Sequence, residues 1–329
     1  MGARRPRRPP SRCAITPTRG SGDAARRRWH NPDVPYFQTY DPQDEARAHA
    51  ELRRLDTLST HHDVAWRDVR VRWRRFGPTT PAATPRPPLV LLHGGHGSWM
   101  HWARNIEALS AGRVLWLPDL PGYSDSAAPD APAPGQPPLE PLLEALAGSF
   151  AALVEPTVPI DLGGFSFGGF VASQFALRRG AIRRLALIGS GGHGTLRRLA
   201  VEMVNWRGAD DRDAERAALL HNLAALMLRE RAAIGPLAFA IHDLSCHATR
   251  FRSKEVSLAG GLQAALAALD VPQLLLWGEF DVTADPRPLV ASLVAGHPRR
   301  EGAVIDGAGH WAQFERAAAV NDRLLRFLD

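Results

Sequence analysis

The sequence predicts an α/β fold: a mostly parallel, eight-stranded sheet with helices on both faces and a helical cap. Three observations carry that prediction. Six short apolar runs are continuous and bounded by Gly, Pro or Asp, as strands buried on both faces should be. Helical patterns lie between several of them, which makes the sheet mostly parallel. One interval, from Ser190 to Ala268, holds helix-like sequence and no strand candidate. It is far too long for an ordinary connecting loop.

The elements follow in order. Residues 1–28 mix Arg, Pro, Ser and Gly with almost no apolar side chains, so a disordered tail is expected there. Ala46–Leu58 places Ala46, Ala50, Leu52, Leu55 and Leu58 at helical spacing. Val64–Phe76 alternates Val69, Val71 and Trp73 with Asp68, Arg70 and Arg72, a half-buried strand or hairpin. A proline-rich loop follows at Pro78–Pro88. The six apolar runs are Leu89–Leu92, Val114–Leu117, Val158–Leu162, Leu185–Ile188, Gln273–Trp277 and Ala303–Ile305. Helices are expected at Glu140–Val154, Gly169–Arg179 and Ala317–Leu328, and within the strand-free interval at Asp213–Arg229 and Leu262–Leu269. The division expected is a tail at 1–28, a core at 29–189 and 269–329, and a cap at 190–268 lying over the strand C-termini.

Composition excludes several functional classes. The chain has 329 residues, 45% hydrophobic and 22% charged, enough for a sizeable core. No apolar run is long enough to span a bilayer. Cys13 and Cys246 are the only cysteines, which leaves no disulfide framework and no Cys-based zinc site. The 13 histidines include no His-Glu-x-x-His pair, so no metal site is expected. The net charge of +6 is unevenly placed: nine arginines against Asp23 lie in residues 1–28. The rest of the chain is near neutral and lacks a global field for a phosphate backbone. Lys254 is the only lysine, a skew that reads as coding bias and weakens arginine-rich stretches as evidence. The tail lacks the apolar stretch of a secretory signal, and its prolines oppose a transit-like helix. The expectation is a cytoplasmic protein acting on a small molecule, with no cofactor, membrane or nucleic-acid partner.

The most informative residues are Gly164-Phe165-Ser166-Phe167-Gly168. This G-x-S-x-G follows an apolar strand and precedes a helix. Such a tight turn strains the serine backbone and tolerates only tiny residues at −2 and +2. A serine needs a base to become a nucleophile. His310, in Gly307-Ala308-Gly309-His310-Trp311, follows the last short strand, where the Ser…Asp…His order puts the base. The base needs a carboxylate to fix its tautomer. Asp281, in Gly278-Glu279-Phe280-Asp281, is the choice, with Asp285, Glu279 and Asp306 as rivals. Acyl chemistry also needs donors for an oxyanion. The Phe167 N–H and the Gly95 N–H, in His93-Gly94-Gly95-His96-Gly97, are the candidates, with His96 as rival to Gly95. His93 is expected to brace its loop. His96, Phe165 and Trp311 are candidate pocket residues.

From about Val64 to its end the chain resembles the α/β-hydrolase superfamily. The resemblance rests on His93-Gly94-Gly95, the Pro118–Ser126 turn, Gly164–Gly168, Gly278–Asp281 and Gly309–Glu315. The last stretch, Gly309-His310-Trp311-Ala312-Gln313-Phe314-Glu315, is similar to the signature of meta-cleavage-product hydrolases, which cut C–C bonds in ring-fission products of aromatics. That resemblance implies hydrolysis through an acyl-enzyme and makes Trp311 a pocket or bracing residue. Phe165 stands where those enzymes have Asn, and His96 where their loop has Gly. They also use a cap arginine, for which Arg216, Arg229, Arg250 and Arg252 are candidates. Epoxide hydrolases and haloalkane dehalogenases carry Asp at the elbow, and this chain carries Ser166. The expected function is a serine hydrolase of a small, aromatic-derived ester or C–C substrate. The alternatives are a ligand-binding relative with an idle triad, or an acyltransferase.

Overall fold

The computed structural model describes residues 39–80 and 86–329. The expected tail at 1–28 and part of the Pro78–Pro88 loop lie outside them. Helix α1 (Pro42–Thr57) starts earlier than the hydrophobic spacing indicates, because Asp41 caps it by accepting from Gln43 N at 2.7 Å and Pro42 opens its first turn. Its buried face is Ala48, Leu52 and Leu55; Ala46, Ala50 and Leu58 are exposed. Strands β1 (Thr60–Trp66) and β2 (Val69–Phe76) form a hairpin, antiparallel from Thr60↔Arg75 to Trp66↔Val69.

The sheet continues through β3 (Leu89–Leu92), helix α2 (Ile106–Ser110) and β4 (Leu115–Pro118). Next come α3 (Glu140–Ala151), β5 (Ile160–Phe165), α4 (Phe167–Arg179) and β6 (Ile182–Ile188). The interval up to residue 268 follows, with α5 (Arg212–Asn222), α6 (Pro236–His247), α7 (Ser253–Leu258) and α8 (Leu262–Ala268). The chain closes with β7 (Gln273–Gly278), α9 (Pro286–Val294), β8 (Arg300–Ile305), α10 (Ala312–Glu315) and α11 (Ala317–Leu328). Strand order is β1-β2-β4-β3-β5-β6-β7-β8. Strands β3 to β8 pair in parallel, and the hairpin joins antiparallel through β2 and β4.

The period-2 alternation of each strand splits the core into two layers. Leu89, Leu91, Phe165, Ile188, Leu274 and Leu276 face one side, against α1, α2 and α11. Val90, Leu92, Leu162, Leu187, Leu275 and Trp277 face the other, against α3, α4 and α9. Residues 190–268 contain no named strand. Their α5 pattern, expected to run to Arg229, widens into a π turn at Leu223–Met227 and ends there. The interval is tied to its surroundings by a bridge between Tyr123 and Thr249 and by Tyr40 Oη donating to Ile234 O at 2.8 Å.

Candidate active site

Strand β5 ends at Phe165, α4 begins at Phe167, and Ser166 sits between them at φ 54°, ψ −120°. That backbone is costly for a residue with a Cβ, and its surroundings hold it. Ser166 N donates to Ile188 O at 2.9 Å, and Ser166 O accepts from Gly169 N and Gly191 N at 3.0 and 2.8 Å. The flanking glycines are a packing necessity. A Cβ on Gly164 would lie 2.2 Å from Gly168 O, and one on Gly168 2.2 Å from His93 O.

His310 follows β8 and is almost fully buried. Its Nε2 lies 2.9 Å from Ser166 Oγ, and its Nδ1 lies 2.8 Å from Asp281 Oδ2. Asp281 lies just past β7 and has no solvent exposure. Its other oxygen, Oδ1, accepts from Thr283 N at 2.8 Å and Thr283 Oγ1 at 2.6 Å. Burial opposes the charge of Asp281. The charge of His310 and hydrogen bonds from His310 and Thr283 outweigh it and hold the carboxyl below its ordinary pKa. An ionised Asp281 accepts the Nδ1–H hydrogen bond of His310, which leaves Nε2 as the acceptor for the Ser166 hydroxyl.

The rival acids are committed elsewhere. Asp285 pairs with Arg198 at 2.5 Å. Glu279 accepts from Gly307 N at 3.1 Å and pairs with Arg287 at 3.0 Å. Asp306 is exposed.

The loop after β3 packs onto the serine turn. His93 donates from Nδ1 to Gly94 O at 2.8 Å and accepts Leu120 N on Nε2 at 2.9 Å. Those partners fix one neutral tautomer, and full burial pushes its pKa down to about 4. His93 is therefore a loop brace. A Cβ on Gly95 would lie 3.6 Å from Phe167 Cβ, so the two residues carrying the candidate donors are neighbours. Phe167 is the first residue of α4 and has no carbonyl one turn back to accept its N–H. His96 is half-buried at φ 51°.

Phe165 and Trp311 are fully buried. The Phe165 ring lies 4.9 Å from the His310 ring. Trp311 donates from Nε1 to His101 O at 3.0 Å and stacks on Phe314 at 4.2 Å, the contacts of a brace. The four candidate arginines are spread out. Arg216 pairs with Glu45 and lies over the Phe239 ring. Arg250 donates to the carbonyls of Ser124 and Ser126. Arg229 lies over Phe280, and Arg252 lines a groove with Phe251 and Glu255.

Two residues at the site have roles that the sequence does not show, Thr283 and Glu315, the second of them the end of the Gly309–Glu315 stretch. Thr283 loads the far oxygen of Asp281. Glu315 accepts the N–H of Gly309, next to the base, at 2.6 Å. Thr283 acts through its hydroxyl and its own N–H, two residues on from Asp281, whereas Glu315 acts through backbone N–H groups of distant segments, which residue spacing does not reveal. Among the described residues no group of three or more His, Cys, Asp or Glu is arranged to hold a metal, and no helix is long and apolar enough to cross a membrane.

Residues 89–323 match a family described as the alpha/beta hydrolase family. The chain belongs to that family. A 2-hydroxy-6-oxononadienedioate/2-hydroxy-6-oxononatrienedioate hydrolase from Cupriavidus pinatubonensis is 27% identical over 262 residues, covering 73% of this chain and 86% of that protein. A dihydrolipoyllysine-residue acetyltransferase component of an acetoin cleaving system from Pseudomonas putida is 29% identical over 256 residues. That match takes in 73% of this chain, which spans 63% of the length of the acetyltransferase. The crystal structure of naproxen esterase from Bacillus subtilis superposes with a TM-score of 0.68 at 21% identity, over 89% of this chain and all of that one. The last likeness is one of fold.

Proposed function

We propose that this alpha/beta hydrolase is a serine hydrolase working through an acyl-enzyme. The observation that carries the reading is the hydrogen-bonded series Asp281–His310–Ser166, at 2.8 and 2.9 Å, with the serine on a strained strand-to-helix turn. His310 takes the Ser166 proton as Oγ attacks the substrate carbonyl. The N–H groups of Gly95 and Phe167 receive the oxyanion. Collapse expels the leaving group, which takes the proton from His310. Water, activated by the same base, then frees the acid and restores Ser166.

Residues 190–268 form the cap in this reading, and the substrate is a small, aromatic-derived ester or C–C compound. The named C–C hydrolase relative and the Gly309–Glu315 signature support C–C cleavage. Phe165, apolar and packed on His310, supports a less polar ester. A panel of p-nitrophenyl esters beside a ring-fission dienoate, with Ser166→Ala as control, tests both. A dienoate turned over with kcat/KM at least about 10²-fold above every short ester decides for C–C cleavage, and the reverse ratio for an esterase. An absence of turnover with no labelling of Ser166 by a fluorophosphonate would overturn the enzyme reading.

A further inference from the structure

Glu315 lies behind the base, buried, with its carboxylate between two segments. On one side Oε2 accepts from Gly309 N at 2.6 Å, the peptide before His310. On the other, Oε1 accepts from Glu230 N at 2.5 Å. Arg229 N reaches both oxygens, at 2.9 and 3.1 Å. A second bond runs in parallel, from Trp311 N to Met227 O at 2.8 Å. The loop carrying the base is thus fastened at both flanks of His310 to Met227–Glu230, the end of the π turn and the three residues after it.

We propose that Glu315 is a positioning residue that sets His310 against Ser166 according to how the 227–230 segment is seated. This rests on the acyl-enzyme reading above. The residue type is dictated by the donors. Three N–H groups converge on two oxygens, and a carboxylate has about four acceptor sites and no donor. A glutamine has one oxygen. Its amide would turn a donor toward either Gly309 N–H or Glu230 N–H, so it can hold the base loop or the 227–230 segment, but not both. The close approach also explains Gly309. A Cβ there would lie 2.8 Å from Arg229 N and 3.1 Å from Met227 O, and would push the two segments apart. Neither Arg316 nor Arg104, whose charges favour that of Glu315, takes over its hydrogen bonds. Arg316 pairs with Glu230, and Arg104 donates to Phe314 O at 3.0 Å.

The test uses Glu315→Gln and Gly309→Ala in the full chain, each normalised to the fraction of Ser166 finally labelled by a fluorophosphonate. A base shifted by ~1 Å can cost about 10²-fold in rate. The expected result for both variants is a kcat lowered about 10-fold or more, KM within about 3-fold, and slower labelling to the same end point. Glu315→Ala should be worse than Glu315→Gln. If Glu315→Gln does not fold, Gly309→Ala decides, because it leaves the carboxylate in place. A kcat within about 2-fold of wild type in the folded variants, with only Tm lowered, overturns the proposal. Turnover that survives in Ser166→Ala overturns the underlying reading instead.

Discussion

Replacing Asp281 by asparagine keeps its size and changes one thing. The structure dictates which way the amide turns. Oδ1 receives two donors from Thr283, N at 2.8 Å and Oγ1 at 2.6 Å, so the asparagine carbonyl oxygen must take that place. Its NH₂ then occupies the Oδ2 position, 2.8 Å from His310 Nδ1. A donor there requires Nδ1 to be the acceptor, which moves the ring proton to Nε2. Nε2 lies 2.9 Å from Ser166 Oγ and can no longer accept its proton. The wrong tautomer costs about 10⁴-fold in kcat in a triad of this kind, or about 5 kcal/mol of barrier. The assay is steady-state hydrolysis of an activated short-chain ester at neutral pH, with circular dichroism to establish that the variant folds. Adding Thr283→Val to Asp281→Asn should recover part of the loss, because one of the donors pinning the amide is gone. A folded Asp281→Asn protein with kcat within about 10-fold of wild type would refute the reasoning and move the acid to another residue.

Gly168→Ala puts a Cβ 2.2 Å from His93 O and 2.5 Å from Leu92 O, both rigid backbone. The end of β3 and the Gly95 loop must move, and kcat/KM should fall by about 10²-fold or more on the same ester. Arg74 is buried and holds Asp119 at 2.8 Å and Asp56 at 2.6 Å, and Asp119 has no exposure. Arg74→Met strands that carboxylate and should lower stability by about 3–5 kcal/mol in urea unfolding. A loss below about 1 kcal/mol would mean that Asp119 finds another partner. Burial pushes the imidazoles of His93 and His242 down to about 4. Their folded pKa lies below the unfolded value, so the unfolded chain binds more protons and stability falls as pH drops from about 6.5 toward 4. Each histidine adds about 1.4 kcal/mol per pH unit to that slope. His242→Leu should reduce the slope, measured from urea midpoints, by about one proton, and an unchanged slope would contradict its burial as a neutral ring.

Much of the fold was legible because parallel strands buried on both faces leave continuous apolar runs. Leu89–Leu92 and Gln273–Trp277 are such runs, and β3 and β7 form on them. Strand β5 is displaced toward Phe165, past Gly163 and Gly164. Glycines carry no hydrophobic signal, yet Gly163 pairs with both Leu91 and Ala186. Strands β6 and β8 start before their apolar runs, because Arg183 and Arg184 in the one and Arg300 and Glu301 in the other carry no hydrophobic signal. At the site, Ser166 and His310 were readable from chain order and glycine spacing, and the structure brings them together with Asp281. Glu279 and Asp285 could be set aside only once Arg287 and Arg198 were seen beside them. Thr283 was not singled out, and Glu315 was legible only as the end of the Gly309–Glu315 stretch, without a role. Thr283 meets Asp281 in a local turn that only the geometry makes plain, and no spacing rule connects Glu315 to Glu230.

Turnover through an acyl-enzyme requires that Ser166 carry an acyl group. The direct measurement is rapid mixing with p-nitrophenyl acetate, acid quench, and mass analysis of the peptide containing Gly164–Gly168. A burst of nitrophenol near one equivalent, with an acetyl group on Ser166, is the predicted result. Ser166→Ala should show neither the burst nor the adduct, and His310→Ala should form the adduct far more slowly. Steady turnover of the ester at undiminished rate in Ser166→Ala, or an acetyl group found only on another residue, would contradict the account.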